Sequence, residues 1–499
     1  MADHETAKAA KNEREDAPIH RKLAVNQEYL KKRLDIGVSF DIGVRELSVG
    51  EKKLAFYFIN GFPDNMVVVE MLRELSRVKR EELVPQVLTR MFRKYLTHPQ
   101  VEELRRMDEV VDKLLAGHLV VLIDGEQTAL AVDARHYPAR QPEEPDTERV
   151  VRGSRDGFTE TLVFNTALIR RRVRDERLRM ELVQVGERSK TDVCLAYLKD
   201  VADPELVRLI RDKLSRITVD GLPMAEKALE EFLVGRNWHP FPLVRYTERP
   251  DVAASHLLEG HVLVLVDTSP SVIIAPTTFF HHVQHAEEYR QTPVVGTYLR
   301  WIRFIGILLS IFLLPLWLLF VFNPELLPKE LAFIGPKKSG EIPIFFQFIL
   351  AEIGIDLMRM AAVHTPTPLA TAMGLIAAVL IGEVAIKVGL FAPETILYTA
   401  VAAIGMFATP SYELSLAVKL VRLFLLLMVF LFKVPGFVLG VTVIVFVLAM
   451  TRSLNTPYLW PLIPFNWPAL RTILFRTSVP SMKMRPSIVR PQDASRQSS

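Results

Sequence analysis

The sequence predicts a soluble N-terminal region of mixed α+β or α/β type, built from two related subdomains. An all-α transmembrane bundle of four to six helices follows it. Three observations predict this. Charged residues make up 24 % of the 499-residue chain, and they crowd into the first 300 positions. From Arg303 to Met450 the chain is a series of apolar runs. The first of these, Phe304–Phe322, carries no charge and approaches the ~20 residues a helix needs to cross a ~30 Å hydrocarbon core. Finally, Leu114-Leu-Ala-Gly-His-Leu-Val-Val-Leu-Ile-Asp124 recurs as Leu257-Leu-Glu-Gly-His-Val-Leu-Val-Leu-Val-Asp267.

The elements follow in order. Residues 1–37 are dense in charge and lack an apolar signal segment, so they read as a disordered tail. Residues 38–137 form the first α/β subdomain. There Lys53-Leu-Ala-Phe-Tyr-Phe-Ile-Asn60 reads as a strand, Asp64 as an N-cap, and the segment to Leu75 as an amphipathic helix. Residues 138–154 hold three prolines among acids and read as a linker. Residues 155–280 repeat the pattern, with a strand from Thr191, an N-cap at Asp203 and a helix to Leu214. Each copy of the Leu-Leu-x-Gly-His motif reads as a helix end, a turn and a buried strand.

Residues 281–303 read as an amphipathic juxtamembrane helix, with Arg300 and Arg303 at the lipid headgroups. The bundle occupies 304–452. Its spans are expected at 304–323, 343–361, 370–390 and 394–410, and the run 414–450 is broken at Lys433-Val-Pro-Gly436. Residues 453–499 form a cytoplasmic tail. Basic residues at both ends of the bundle put both termini in the cytoplasm, which requires an even number of crossings.

Composition excludes several classes. A net charge of +4 is too small to indicate nucleic acid binding. One cysteine, Cys194, precludes an intramolecular disulfide and a Cys-rich zinc site. His281, His282 and His285 lack the spacing of a zinc helix, so no metal or cofactor is expected. Phosphate-loop, dinucleotide, nucleophile-elbow and kinase signatures are missing, so no catalytic residue is assigned.

Charged residues within the apolar half stand out, because each costs about 2.5–3.5 kcal/mol at bilayer depth. Glu352, Asp356 and Arg359 share a helix face. They read either as the lining of an ion path or as a wet face or internal ion pair that fixes packing. Glu383 and Lys387 lie one turn apart and could neutralise each other or repeat as rings around a pore. Lys419 and Arg422 read as snorkelling to headgroups. In the soluble half, Arg170, Arg171, Arg172 and Arg174 form a basic run suited to a subunit contact, a solvated face or lipid headgroups.

Several further runs occur together: Val151-Arg-Gly-Ser-Arg-Asp-Gly-Phe-Thr-Glu160, Asn165-Thr-Ala-Leu-Ile-Arg-Arg-Arg172, Lys190-Thr-Asp-Val-Cys-Leu-Ala-Tyr197, Asp220-Gly-Leu-Pro-Met224, Val266-Asp-Thr-Ser-Pro-Ser-Val-Ile-Ile-Ala-Pro276 and Pro457-Tyr-Leu-Trp-Pro-Leu-Ile-Pro-Phe465. In order and spacing, from about residue 38 to 477, the chain resembles the A subunits of GerA-type spore germination receptors. The resemblance implies an integral protein of the spore inner membrane that acts in germination as a ring-forming, pentamer-like channel for monovalent ions. It implies partnership with further copies of itself and with other germination proteins, among them permease-like and lipoprotein subunits or a small membrane protein. On that reading helix 370–390 lines the path, with Ile376, Leu380, Glu383 and Lys387 facing inward. A non-conducting scaffold that clusters germination proteins and a secondary transporter are the rival readings.

Overall fold

In the computed structural model, which describes residues 17–78, 101–135, 148–235, 238–335, 340–364 and 384–496, the soluble half contains two five-stranded sheets. The strands of the first are β1 (Ile42–Val49), β2 (Lys52–Ile59), β3 (Val101–Leu104), β4 (Leu119–Ile123) and β5 (Ala129–Val132). Those of the second are β6 (Leu178–Val185), β7 (Thr191–Leu198), β8 (Arg245–Thr247), β9 (Val262–Val266) and β10 (Val272–Ala275). The first sheet has the order β1-β2-β4-β5-β3, and the second the matching order β6-β7-β9-β10-β8. The two central strands of the recurring motif, β4 and β9, are buried along their whole length. That is why they read as continuous apolar runs. Pairing is antiparallel from β1 to β5 and from β6 to β10 wherever a register is defined, which makes this region α+β.

The repetition extends further upstream than the sequence suggests. Leu23–Leu34 is a helix whose Leu23, Asn26, Leu30 and Leu34 are buried, one helical stripe at i, i+3, i+7 and i+11. These leucines join the first hydrophobic core. Over 23–34 the disorder expected of the tail 1–37 is therefore corrected, since apolar spacing every third to fourth residue anchors that stretch; residues 1–16 lie outside the described residues. The helix Leu162–Arg172 stands at the corresponding place in the second copy. In one copy the Leu23 N–H donates to Asp124 Oδ1, and in the other the Leu162 N–H donates to Asp267 Oδ1, each at 3.0 Å. Asn26 exchanges two hydrogen bonds with the His20 backbone, and Asn165 does the same with Thr159. Asp64 and Asp203 cap the two following helices through their carboxylates. The glycine of each Leu-Leu-x-Gly-His motif sits at positive φ, 94° for Gly117 and 107° for Gly260, where a side chain would strain the helix exit.

The two copies pack through the Leu162–Arg172 helix. A methyl group added at Gly61 would lie 3.1 Å from Val163 and 3.2 Å from Ala167. On the second copy, the position corresponding to that glycine-lined surface is met by the C-terminal segment. There Val489 lies against Gly260, the Gln492 N–H donates to Val201 O, and its side chain donates to Lys199 O and Ala202 O. Arg485 reaches Leu258 O. Within the segment 453–499, read from the sequence as a tail, Ile488 and Val489 are buried.

Two compact units divide the chain. One is drawn from Met1–Gly235, Tyr246–Pro276 and Lys483–Ser499, the other from Arg236–Arg245 and Thr277–Met482. The second unit is helical. Its main helices are Pro293–Phe322, Ile344–His364, Pro393–Phe407 and Tyr412–Met450, with a short Ala385–Lys387 turn. By length and composition, Pro293–Phe322 and Tyr412–Met450 are long and apolar enough to cross a membrane. The latter is two helices, because Lys433 adopts φ 52°, ψ −126°. A methyl group added at Gly440 would lie 2.8 Å from Leu425 Cδ2. Along a straight helix those residues would stand about 22 Å apart, so the chain doubles back at Lys433 just ahead of Pro435. Helices Pro293–Phe322 and Pro393–Phe407 cross at paired glycines, where a methyl group on Gly405 would lie 2.2 Å from Gly306 O. Many outward residues of the long helices are apolar, among them Leu308, Leu350, Leu357, Ile404, Leu427 and Phe446.

Candidate functional site

The helical unit, much of whose outward helix surface is apolar, buries several charges. Glu352 on Ile344–His364 and Lys419 and Arg422 on the first half of Tyr412–Met450 are each buried. Glu352 Oε2 lies 3.0 Å from Lys419 Nζ, and Glu352 Oε1 lies 2.7 Å from Arg422 Nη2. Lys419 Nζ is also 2.6 Å from Asp356 Oδ2. Arg422 Nη1 donates to both the backbone oxygen and the hydroxyl of Ser310, each at 2.8 Å, and so ties in helix Pro293–Phe322. Arg359 Nη2 stands 3.5 Å from Asp356 Oδ1 and 3.5 Å from Met406 Sδ.

The helical period explains the cluster. Glu352 and Asp356 are one turn apart, as are Lys419 and Arg422, so each helix presents a pair of like charges to the other. The three buried ones, Glu352, Lys419 and Arg422, are tolerable in an apolar interior only because they pair, whereas the Asp356 side chain is 43 % exposed. The snorkelling expected of Lys419 and Arg422 is corrected, because both side chains turn into the bundle toward Glu352. Sequence read along one helix cannot supply a partner lying 67 positions away. Of the other expected positions, Ile376, Leu380 and Glu383 lie outside the described residues. Lys387 ends the Ala385–Lys387 turn and is exposed.

A second buried ion pair marks the start of helix Pro293–Phe322. Glu288 is fully buried. It meets Arg300 Nε at 2.7 Å and also pairs with Arg303. Arg300 Nη1 further donates to the carbonyls of Thr472 (2.9 Å) and Ile473 (2.7 Å), at the end of helix Trp467–Leu474. Arg300 was expected at the headgroups; instead its guanidinium is buried and binds the end of that helix.

The three histidines do separate work. His281 Nδ1 and His285 Nδ1 accept backbone N–H bonds at the starts of two short helices. His282 is buried, and burial, reinforced by Arg245, pushes its imidazole down to about 3. Among the described residues, no group of three or more His, Cys, Asp or Glu is placed to hold a metal ion.

The basic run of the soluble half divides. Arg170 is buried, with Nε and Nη2 each 2.9 Å from Asp41 Oδ2. Arg172 binds Asp156, whose carboxyl is held below the usual carboxylate range by Arg172 and Ser154 against the opposing effect of burial. Only Arg171 and Arg174 are exposed, so Arg170 and Arg172 serve the fold of this chain.

A soluble α+β repeat joined to an apolar-surfaced helical unit with a charged interior is the architecture of a membrane-associated protein with a large aqueous domain. The family follows from comparison. The profile of the Bacillus/Clostridium GerA spore germination protein family matches residues 28–488, and the chain belongs to that family. Among curated relatives, it is 55 % identical over 479 residues to stage V sporulation protein AF of Bacillus subtilis (strain 168), covering 96 % of this chain and 97 % of that one. It is 28 % identical to spore germination protein KA of the same organism, over 96 % of this chain and 89 % of that one. Among solved structures, it is similar to the N-terminal domain of the A subunit of the Bacillus megaterium spore germinant receptor GerK3, with 27 % identity and a TM-score of 0.43. That match covers 53 % of this chain and 99 % of that one. The relatives are named as germination and sporulation proteins, and none of these names is that of an enzyme.

Proposed function

We propose that this protein is a subunit of an oligomeric, pentamer-like ion channel of the spore inner membrane that releases monovalent ions from the spore core and supports germinant receptor signalling. The observation that carries the reading is the set of ionised side chains inside an apolar-surfaced helical unit, in a chain of the germination family. Ionisable groups at membrane depth normally face a bundle interior or a watery passage. Several copies arranged in a ring would bring helix 370–390 to the axis, with Ile376, Leu380, Glu383 and Lys387 lining it. Glu383 would concentrate cations and the apolar rungs would gate by dewetting. On this reading the number of crossings is even and both termini lie on the cytoplasmic, core side, which the basic residues flanking the apolar half support. The partners on this reading are further copies of the chain and other inner-membrane germination proteins, permease-like and lipoprotein subunits among them.

A non-conducting scaffold is the second reading, favoured by the internal neutralisation of Glu352 by Lys419 and Arg422. The two separate by experiment. The purified full chain is reconstituted in vesicles loaded with potassium or rubidium, and efflux is followed for the wild type, Glu383→Gln and Glu383→Ala. Channel function predicts efflux that these substitutions change in rate or ion preference. Vesicles that retain their ions with every variant would leave the scaffold.

A further inference from the structure

Beyond the last long helix the chain carries an exposed aromatic segment. Phe465 and Trp467 are 66 % and 57 % exposed, and their rings lie roughly parallel with centroids 6.5 Å apart. Leu462, Ile463 and Phe475 are exposed as well, and the half-exposed ring of Trp301 on helix Pro293–Phe322 stands 6.1 Å from that of Phe475. Within helix Trp467–Leu474 only Ile473 is buried. Large apolar side chains gathered outward in this way mark a surface that something covers.

Its position along helix Pro293–Phe322 identifies the cover. The charge-free run 304–322 is about 28 Å long at about 1.5 Å per residue, close to the ~30 Å thickness of a hydrocarbon core. Both ends of the aromatic segment are fastened where that run begins. At the near end the Phe279 N–H donates to Tyr458 O at 2.9 Å, and the neighbouring Phe280 ring meets the Phe304 ring at 6.4 Å. At the far end Arg300 Nη1 donates to the carbonyls of Thr472 and Ile473, and Trp301 Nε1 donates to Leu474 O at 3.1 Å. Arg300 and Trp301 precede Phe304 by about 5–6 Å of helix, and the headgroup layer on each side of a bilayer is about 5–8 Å deep. Trp and Tyr concentrate at that depth. Tyr298, Ile302 and Ile305 are also exposed, and their i, i+4, i+7 spacing carries one outward apolar stripe through the same layer into the long run. Arg300 therefore binds the helix, and the helix meets the lipid.

We propose that the segment 462–475 lies in the headgroup layer of a phospholipid bilayer, with Phe465 and Trp467 as its anchors. The assignment rests on the membrane part of the proposed function and not on conduction. The full-length protein is reconstituted, with no other protein, in phosphatidylcholine–phosphatidylglycerol vesicles. A fluorophore is attached at Phe465→Cys or Trp467→Cys, since Cys194 is buried and stays unlabelled. Comparison labels sit at Leu308→Cys, on the outward face of the long helix, and at Arg188→Cys, exposed in the soluble half. Labels at 465 and 467 are expected to be quenched several-fold more by a headgroup nitroxide than by an acyl-chain nitroxide. Iodide on both faces should quench them several-fold less than the label at 188. The label at 308 should respond to the acyl-chain nitroxide; silence there toward every lipid nitroxide would remove the membrane reading and this proposal with it. With 308 responding, labels at 465 and 467 that answer to neither lipid nitroxide overturn the proposal alone. Open access to iodide would then show the patch bare in water, and protection from iodide would show it covered by protein.

Discussion

Removing the Arg170 guanidinium should unfold the soluble half well before it disturbs the helical unit. Both side chains of the Arg170–Asp41 pair are 1 % exposed, and Arg170 also donates to Asp175 O at 2.9 Å and Leu178 O at 3.2 Å. In Arg170→Ala the Asp41 carboxylate stays buried with no cation, and two backbone carbonyls lose a donor. Breaking a buried pair in this way costs about 3–5 kcal/mol. For a domain of this size each kcal/mol lowers the melting temperature by about 2–4 °C, so the expected shift is about 6–20 °C. The assay is thermal unfolding of the detergent-solubilised full chain, with proteolysis of the soluble half as the local readout. The double variant Arg170→Met with Asp41→Leu removes both charges and should regain most of the loss, because a matched apolar pair avoids the desolvation of two ions. A shift under about 2 °C for the single variant, or a double variant no better than the single, would refute the reasoning.

Three further outcomes follow. Gly405→Ala should lower the stability of the helical unit measurably, because its methyl group would lie 2.2 Å from Gly306 O. Gly306→Ala, which meets Gly405 Cα at 3.5 Å, should be tolerated; equal melting of the two variants would contradict this crossing. His282, pushed down to about 3 by burial, binds its proton more weakly folded than unfolded. Its contribution to stability is therefore complete above about pH 6.5 and is lost as the pH falls from there toward 3, by at most about 1.4 kcal/mol per pH unit; His282→Phe should flatten that slope in acid titrations followed by circular dichroism. Gln492→Ala should speed hydrogen exchange at 199–202 while leaving β1 and β2 protected, as mass spectrometry of peptic fragments would report.

Parts of this fold are written locally in the chain and others are not. The buried strands β4 and β9 are legible because their apolar runs follow a glycine turn, and Asp64 and Asp203 because an N-cap acts on its own helix. The break before Pro435 is legible for the same reason. Helix Leu23–Leu34 was hidden by its charge: Lys31, Lys32 and Arg33 crowd its last turn, and composition outvoted a sound leucine spacing. The signal that could have found it is the Leu-x-x-Asn shared by Leu23–Asn26 and Leu162–Asn165, each set against the aspartate that closes the recurring motif. The buried cluster was half legible. Glu352 and Asp356 announced a polar face, but only folding reveals that Lys419 and Arg422 answer it. Arg170 and Arg300 were misplaced for one reason, since a charged residue advertises water until its partner, Asp41 or Glu288, is seen.

The closing of the second repeat by residues 485–492 has a bearing on how the molecule is made. A ribosome makes that stretch only after the apolar helices between Pro293 and Met450. The aqueous half must therefore wait, with one flank uncovered, until the apolar half has been synthesised. A chain that stops within those helices has a second repeat without the Val489 contact at Gly260 and the Gln492 hydrogen bonds at 199–202.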